Sequence, residues 1–216
     1  ERRPLVAFLS PDLRQHSIAY FFEPLLRHLP AAEFELWLYH DHYCVDATSD
    51  RLRGLAAGWR NFVGQPADAV EAAIRADAPD LLVDLAGHTG LNRLPLFARR
   101  LAPVQITYLG YPNTTGLEEM DYRFSDAVAD PEGGADLWHT EELVRFAPTA
   151  WTYAPPADMP GPAPLPCAAG GPVTFGSFNA LSKVTSRTLH LWRDVLAAVP
   201  GSRLMLKSFG LDFTAW

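Results

Sequence analysis

The chain has 216 residues, 48% of them hydrophobic and 20% charged, with 18 basic side chains against 25 acidic ones and a formal net charge of −7. That length buries a sizeable core, as one generous domain or one domain and part of a second, so small stapled scaffolds are excluded. The acidic balance opposes a nucleic-acid surface, and no stretch approaches the roughly 18 consecutive apolar residues of a membrane span. Cys44 and Cys167 are the two cysteines, far apart and outside any CxxC or Cys/His cluster, so neither a disulfide framework nor a zinc site is signalled. A reducing cytoplasm is the expected setting. Glu1-Arg2-Arg3-Pro4 runs straight into a strand-like segment, which leaves no room for a signal peptide. The absent start methionine and the ending at Phe213-Thr214-Ala215-Trp216 suggest a piece of something longer.

Leu5 to Leu9 is a short apolar run, as in a parallel strand buried on both faces. Between Ser17 and Leu29, Ala19, Phe21, Phe22, Leu25, Leu26 and Leu29 recur at helical spacing, and Pro30 closes the segment. Strand (Phe34 to Tyr39), helix (Ala47 to Ala57), short strand (Trp59 to Val63) and Ala-rich helix (Pro66 to Ala76) follow. Asp80 to Leu85 is a further doubly buried strand, ended by Gly87-His88-Thr89-Gly90, and Pro95 to Leu101 reads as helix. Val104 to Leu109, Tyr122 to Ser125 and Leu143 to Phe146 complete the strands. Such alternation predicts a doubly wound, Rossmann-like α/β lobe over residues 1–154. Residues 155–171 carry six prolines among small residues without periodicity and read as a linker. Residues 172–216 then start a second α/β lobe: strand (Val173 to Phe178), helix (Thr185 to Val199), strand (Arg203 to Leu206).

In open α/β sheets the loops after strands face the ligand crevice, so chemistry is sought there. Ser10-Pro11-Asp12-Leu13-Arg14-Gln15-His16 follows the first strand. His16 adjoins Ser17, read as a helix N-cap, where the positive helix end disfavours imidazolium and keeps a proton-accepting ring; a backbone-bonded loop histidine is the alternative. His88 and Thr89 should reach the same crevice, unless Gly87 to Gly90 is simply a tight turn. Tyr108 to Gly116, containing Thr114, offers aromatic faces and hydroxyls suited to carbohydrate or peptide. In the second lobe Phe178-Asn179-Ala180-Leu181-Ser182-Lys183 joins strand to helix, where the amides of Thr185 to Thr188 would form an anion site. Lys183 could neutralise a nucleotide diphosphate there, or be a solvated surface lysine. GxGxxG, GxxxxGKS, GxSxG and HExxH are all absent. His40 and His42 stand close, but a metal needs more ligands than that pair.

Together these segments carry a resemblance. The stretch from Phe8 to His16, the block from Asp84 to Ala98, Ala102-Pro103-Val104-Gln105 running on through Leu109 to Gly116 and Met120-Asp121-Tyr122, and Phe178 to Lys183 resemble, in order and spacing, the catalytic region of protein O-GlcNAc (SPINDLY-like) transferases. The resemblance implies a GT-B fold of two Rossmann-like lobes. It further implies inverting transfer of N-acetylglucosamine from UDP-GlcNAc to Ser or Thr of intracellular proteins, with no catalytic metal and no cofactor besides the donor. His16 matches the family's active-site histidine, and Lys183, with Asn179 beside it, the donor-diphosphate site. His88, Thr89 and Thr114 match loops lining the cleft or acceptor path. UDP-sugar and protein or peptide acceptors are thus the expected partners, without nucleic acid or membrane. Two departures stand out: Ala180 replaces a glutamine of several members, and no tetratricopeptide repeat is present. The chain is expected to stop after the first βαβ unit of the second lobe, short of a complete donor site. A GDP-fucose-dependent O-fucosyltransferase and a non-catalytic protein-binding fragment are the rival readings.

Overall fold

A computed structural model describes residues 2–156, 158–208 and 211. Two units divide at Ala157/Asp158. In the first, β1 (Leu5–Ser10), β2 (Glu35–His40), β3 (Gly58–Asn61), β4 (Leu81–Asp84), β5 (Val104–Thr107), β6 (Tyr122–Asp126) and β7 (Glu142–Phe146) form one sheet, ordered β3-β2-β1-β4-β5-β6-β7. Every pairing is parallel. Parallel strands need a crossover through the faces of the sheet, and the helices α1 (Ser17–His28), α2 (Ala47–Arg53), α3 (Ala67–Asp77) and α4 (Leu94–Phe97) supply four of them.

Side chains alternate across a strand, so each face of β1 feeds its own core. Val6 and Phe8 pack with Phe22 and Leu26 of α1 and Leu52 of α2, whereas Leu5, Ala7 and Leu9 pack with Val70 and Ile74 of α3 and Leu96 and Phe97 of α4. All six residues of β1 are buried, which is why Leu5 to Leu9 is an unbroken apolar run before Ser10 ends the strand. The chain winds outward from β1 through β2 to β3, returns, and winds the other way from β4. Neighbouring β1 and β4 therefore send their following loops to opposite faces, and a crevice opens between them at their carboxyl ends.

Several boundaries differ from the sequence expectation for local reasons. His16, not Ser17, is the N-cap of α1: it holds the extended backbone (φ −152°, ψ 159°) and its Nδ1 accepts from the Ile18 amide at 3.3 Å. Helix α2 stops at Arg53 with Gly54 as its C-cap, well before Ala57. The helix expected over 95–101 is a single turn, α4, because the chain reverses through Arg100 at φ 53°. In the second unit β8 (Thr174–Ser177) and β9 (Arg203–Leu206) pair in parallel, with α5 (Ser186–Ala198) between them. No helix among the described residues is long and apolar enough to cross a membrane.

Candidate functional site

The loop after β1 is built by local hydrogen bonds. Ser10 ends the strand fully buried and accepts from the Asp12 amide at 3.0 Å, and Asp46, the N-cap of α2, accepts from the Gln15 amide at 2.7 Å. These bonds deliver Asp12 and His16 to the crevice. Asp12 Oδ2 lies 3.7 Å from His16 Nδ1. Arg14 reaches the other carboxylate oxygen, Oδ1, at 3.4 Å.

Opposite stands the loop after β4, anchored by the fully enclosed Asp84. Its carboxylate accepts from the amides of Ala86 (3.1 Å) and Gly87 (2.8 Å) and from the Thr107 hydroxyl (2.8 Å). Burial pushes the Asp84 carboxyl above its ordinary value, although those three donors and nearby His88 oppose it. Gly87 takes φ +55°, a conformation that any other L-residue adopts with strain. The next loop, after β5, presses against this one so closely that a Cβ on Gly110 would sit 2.0 Å from the Leu85 carbonyl oxygen. It is pinned from the far side by the buried Glu141, which accepts from the Thr114 hydroxyl (2.7 Å), the Thr115 amide (2.6 Å) and the Thr115 hydroxyl. Burial raises the Glu141 carboxyl, but those Thr115 and Thr114 donors outweigh it and hold it below the usual range.

A cleft of about 400 Å³ lies between these loops, walled by Asp12, His16, Ile18 and Phe21 on one side and Thr89, Gly90, Leu109 and Gly110 on the other, with Trp151 across its edge. Phe21 and Trp151 meet edge to face, with ring centroids 5.8 Å apart. The Thr152 hydroxyl donates to the Phe21 carbonyl and the Tyr108 hydroxyl to the Ala150 carbonyl, so the segment after β7 is laced to α1 and β5. An apolar cleft with a few convergent polar groups is the usual form of a small-ligand site.

Of the residues singled out in the sequence, the structure brings His16 and Thr89 together here. Thr89 donates its hydroxyl to the Ala86 carbonyl at 2.8 Å, which fixes its rotamer on the cleft wall. His88 and Thr114 do not line the cleft: the His88 ring bonds the Thr115 carbonyl through Nε2 at 2.8 Å and meets Tyr111 edge to face, and the Thr114 hydroxyl is spent on Glu141. Both hold loops in place. Asn179 and Lys183 belong to the second unit, exposed on the segment after β8, with Lys183 closing a short 3₁₀ turn, Leu181–Lys183. Thr185 caps α5 and forms a reciprocal capping box with Thr188, so the Thr188 amide is already bonded and is not free for an anion.

His40 and His42 both serve the turn after β2. His40 Nε2 bonds the Cys44 carbonyl (3.0 Å) and His42 Nδ1 accepts from the Cys44 amide (2.9 Å). Burial lowers the affinity of His40 for a proton, with the Cys44 carbonyl partly opposing. Among the described residues no group of three or more His, Cys, Asp or Glu side chains is placed to hold a metal ion. Sequence reasoning missed Trp151 and Phe21, 130 positions apart, and gave Asp12 no role. For Asp12 there was a signal: a carboxylate four residues before a candidate histidine, in the same loop.

Comparison with known proteins places this geometry in context. The model of the family described as glycosyl transferase family 41 matches residues 3–153. The probable UDP-N-acetylglucosamine–peptide N-acetylglucosaminyltransferase SPINDLY of Petunia hybrida is 41% identical over 218 residues, covering 98% of this chain and 23% of the relative. The protein of that name from Solanum lycopersicum is 42% identical, covering 96% and 23%. A lysine-to-methionine mutant of the Thermobaculum terrenum O-GlcNAc transferase superposes with a TM-score of 0.92 at 39% identity, over 99% of this chain and 40% of that one. At that similarity the fold is shared: α/β, of the GT-B-like class. The chain spans less than a quarter of the length of these curated relatives.

Proposed function

The chain belongs to glycosyl transferase family 41, and from that premise we propose that it is part of an enzyme moving N-acetylglucosamine from UDP-GlcNAc to Ser or Thr hydroxyls of proteins, with inversion at the anomeric carbon. The observation that carries the reading is the cleft at the carboxyl ends of β1 and β4, where His16 stands at a helix start beside an aromatic wall. The acceptor hydroxyl attacks the anomeric carbon as UDP departs. His16 orients or deprotonates that hydroxyl, and Thr89 shapes its approach. Lys183, aided by Asn179, balances the diphosphate charge, a role for which the reading needs no resident metal and no cofactor besides the donor. Cytoplasmic proteins are the proposed acceptors, in keeping with two unpaired cysteines. Residues 155–171 are proposed as the linker between the catalytic lobe and the start of the donor lobe.

A longer form carrying the rest of the second lobe tests this directly. With labelled UDP-GlcNAc and protein acceptors it should transfer label, whereas GDP-fucose should support none; the reverse pattern, or transfer from neither donor, refutes the reading. His16→Ala should lower turnover about 10²-fold or more with donor affinity nearly unchanged. Lys183→Ala should instead weaken calorimetric UDP binding and slow transfer, and Lys183→Arg should not fully rescue it. Equal UDP affinity in wild type and alanine variant would place Lys183 on the solvated surface.

A further inference from the structure

One nitrogen of His16 faces two partners with opposite demands. The Ile18 amide points its hydrogen at Nδ1 from 3.3 Å, which requires a lone pair there. Asp12 Oδ2 lies 3.7 Å from the same atom and can be bonded only if Nδ1 carries a proton. A ring nitrogen cannot serve both at once. In the arrangement observed Nδ1 accepts, so a neutral ring holds its proton on Nε2, and Nε2 is then a donor that cannot take a proton from an acceptor hydroxyl.

We propose that Asp12 is a positioning residue for the transfer step: it captures His16 Nδ1–H and so leaves the lone pair on Nε2, with the Ile18 bond marking the resting ring. Asp12 is built for this. It is 8% exposed, its amide is tied to Ser10, and Arg14 engages Oδ1, which leaves Oδ2 turned to the histidine. The His16 side chain is 36% exposed and has room to turn. Closing 3.7 Å to an ordinary bond of about 2.8 Å asks for a shift of about 1 Å. Of the charged groups, Asp12 approaches this nitrogen from the loop after β1, with Arg14 bonded to its other carboxylate oxygen. The elements across the cleft present Thr89, Gly90, Leu109, Gly110 and Trp151, none of which titrates near neutrality. No rival carboxylate among the residues lining the cleft competes for the Nδ1 proton.

The step balances simply, on the function proposed above. The acceptor oxygen forms its bond to the anomeric carbon, the bond from that carbon to the diphosphate oxygen breaks with its electron pair leaving on UDP, and the hydroxyl proton passes to Nε2. Asp12 stays ionised throughout and holds the imidazolium by Nδ1–H.

Two readouts test the proposal separately. In the 216-residue chain labelled with ¹⁵N, long-range proton–nitrogen correlation reports which ring nitrogen of His16 is protonated. On acidification the wild type should show an Nδ1–H protected from solvent exchange, and that protection should vanish in Asp12→Asn and persist in Asp12→Glu. In the longer form, Asp12→Asn should lower kcat about 10- to 100-fold with KM for UDP-GlcNAc unchanged; Asp12→Glu should recover part of it. An unprotected Nδ1–H in the wild type, equal protection in Asp12→Asn, or an unchanged kcat overturns the proposal. Should wild type transfer no sugar at all, the function fails while the imidazole signal still decides the Asp12–His16 contact. Circular dichroism of the variants separates either result from misfolding.

Discussion

Replacing Gly110 by alanine strikes the point where two loops of the cleft touch. The added Cβ would lie 2.0 Å from the Leu85 carbonyl oxygen, 2.7 Å from its carbon and 2.9 Å from the Ala86 Cα. Unbonded carbon and oxygen settle no closer than about 3.3 Å, so the loops must part by about 1.3 Å. Neither neighbour yields cheaply. Leu85 is fully buried and its amide bonds the Leu9 carbonyl, and the Ala86 amide is held by Asp84. Overpacking of this kind costs about 1–3 kcal/mol, and backbone contacts put Gly110→Ala at the upper end. With a urea slope of about 2 kcal/mol/M, the unfolding midpoint should fall by about 1.5 M, read by tryptophan fluorescence. Gly134→Ala is the control, since nothing lies within 4 Å of its Cβ and its φ is −83°; its stability should stay within about 0.5 kcal/mol of wild type. Turnover of the longer form should fall with stability, because displacing a cleft wall by about 1 Å can cost about 10²-fold. A Gly110→Ala protein with wild-type midpoint and wild-type turnover would show that the two loops do not meet as described.

Asp84→Asn puts an amide nitrogen against one of the donors that now bond the carboxylate, and should cost about 1–3 kcal/mol in urea unfolding. Because burial raises this carboxyl, its protonated form is favoured in the fold. That contribution is therefore full below the ordinary carboxyl value and fades as pH rises through the raised one; the wild-type-minus-variant difference should show this slope. Asp126 behaves oppositely: the amides of Ala129 and Ala150 and the Thr149 hydroxyl hold its carboxyl at about 2. Its stabilisation is present above about pH 4 and is lost as pH falls towards 2, so Asp126→Asn should flatten the decline in urea midpoint across that window; an unaltered slope would count against the assignment. Gln105→Leu would orphan the Leu101 amide, bonded at 3.0 Å, and take one of two donors from the carbonyls of Phe97 and Glu119, which keep the Arg100 amide and guanidinium. One unpaired buried amide puts the cost at about 1–3 kcal/mol in urea unfolding, and an unchanged midpoint would mean that water replaces the side chain.

The doubly wound class was legible in the chain because burial on both faces leaves a mark in local composition. The apolar runs at Leu5–Leu9 and Leu81–Val83 are such marks, and the amphipathic spacing of α1 is another. The loop residues His16 and Thr89 were reachable by the same logic, since loops that follow parallel strands must open at one edge of the sheet. What pattern could not supply was adjacency. That β1 lies beside β4, so that two loops some 70 positions apart face one crevice, is a property of strand order. The partnership of Phe21 with Trp151 depends likewise on how the segment after β7 lies over α1.

Hydrogen-bond competition decided the finer points. Serine is the better N-cap by statistics, yet His16 takes the position because its Nδ1 reaches the Ile18 amide. Thr114 read as a cleft hydroxyl until the distant Glu141 claimed it. The expected helix over 95–101 shrank to one turn, with the Leu101 amide taken by Gln105 from the next strand. Sequence determines which groups are apolar, which are able to bond and at what period they recur. Tertiary structure decides which partner each polar group finds, because a buried donor or acceptor must be satisfied by whatever the fold brings near it, however far away in the chain.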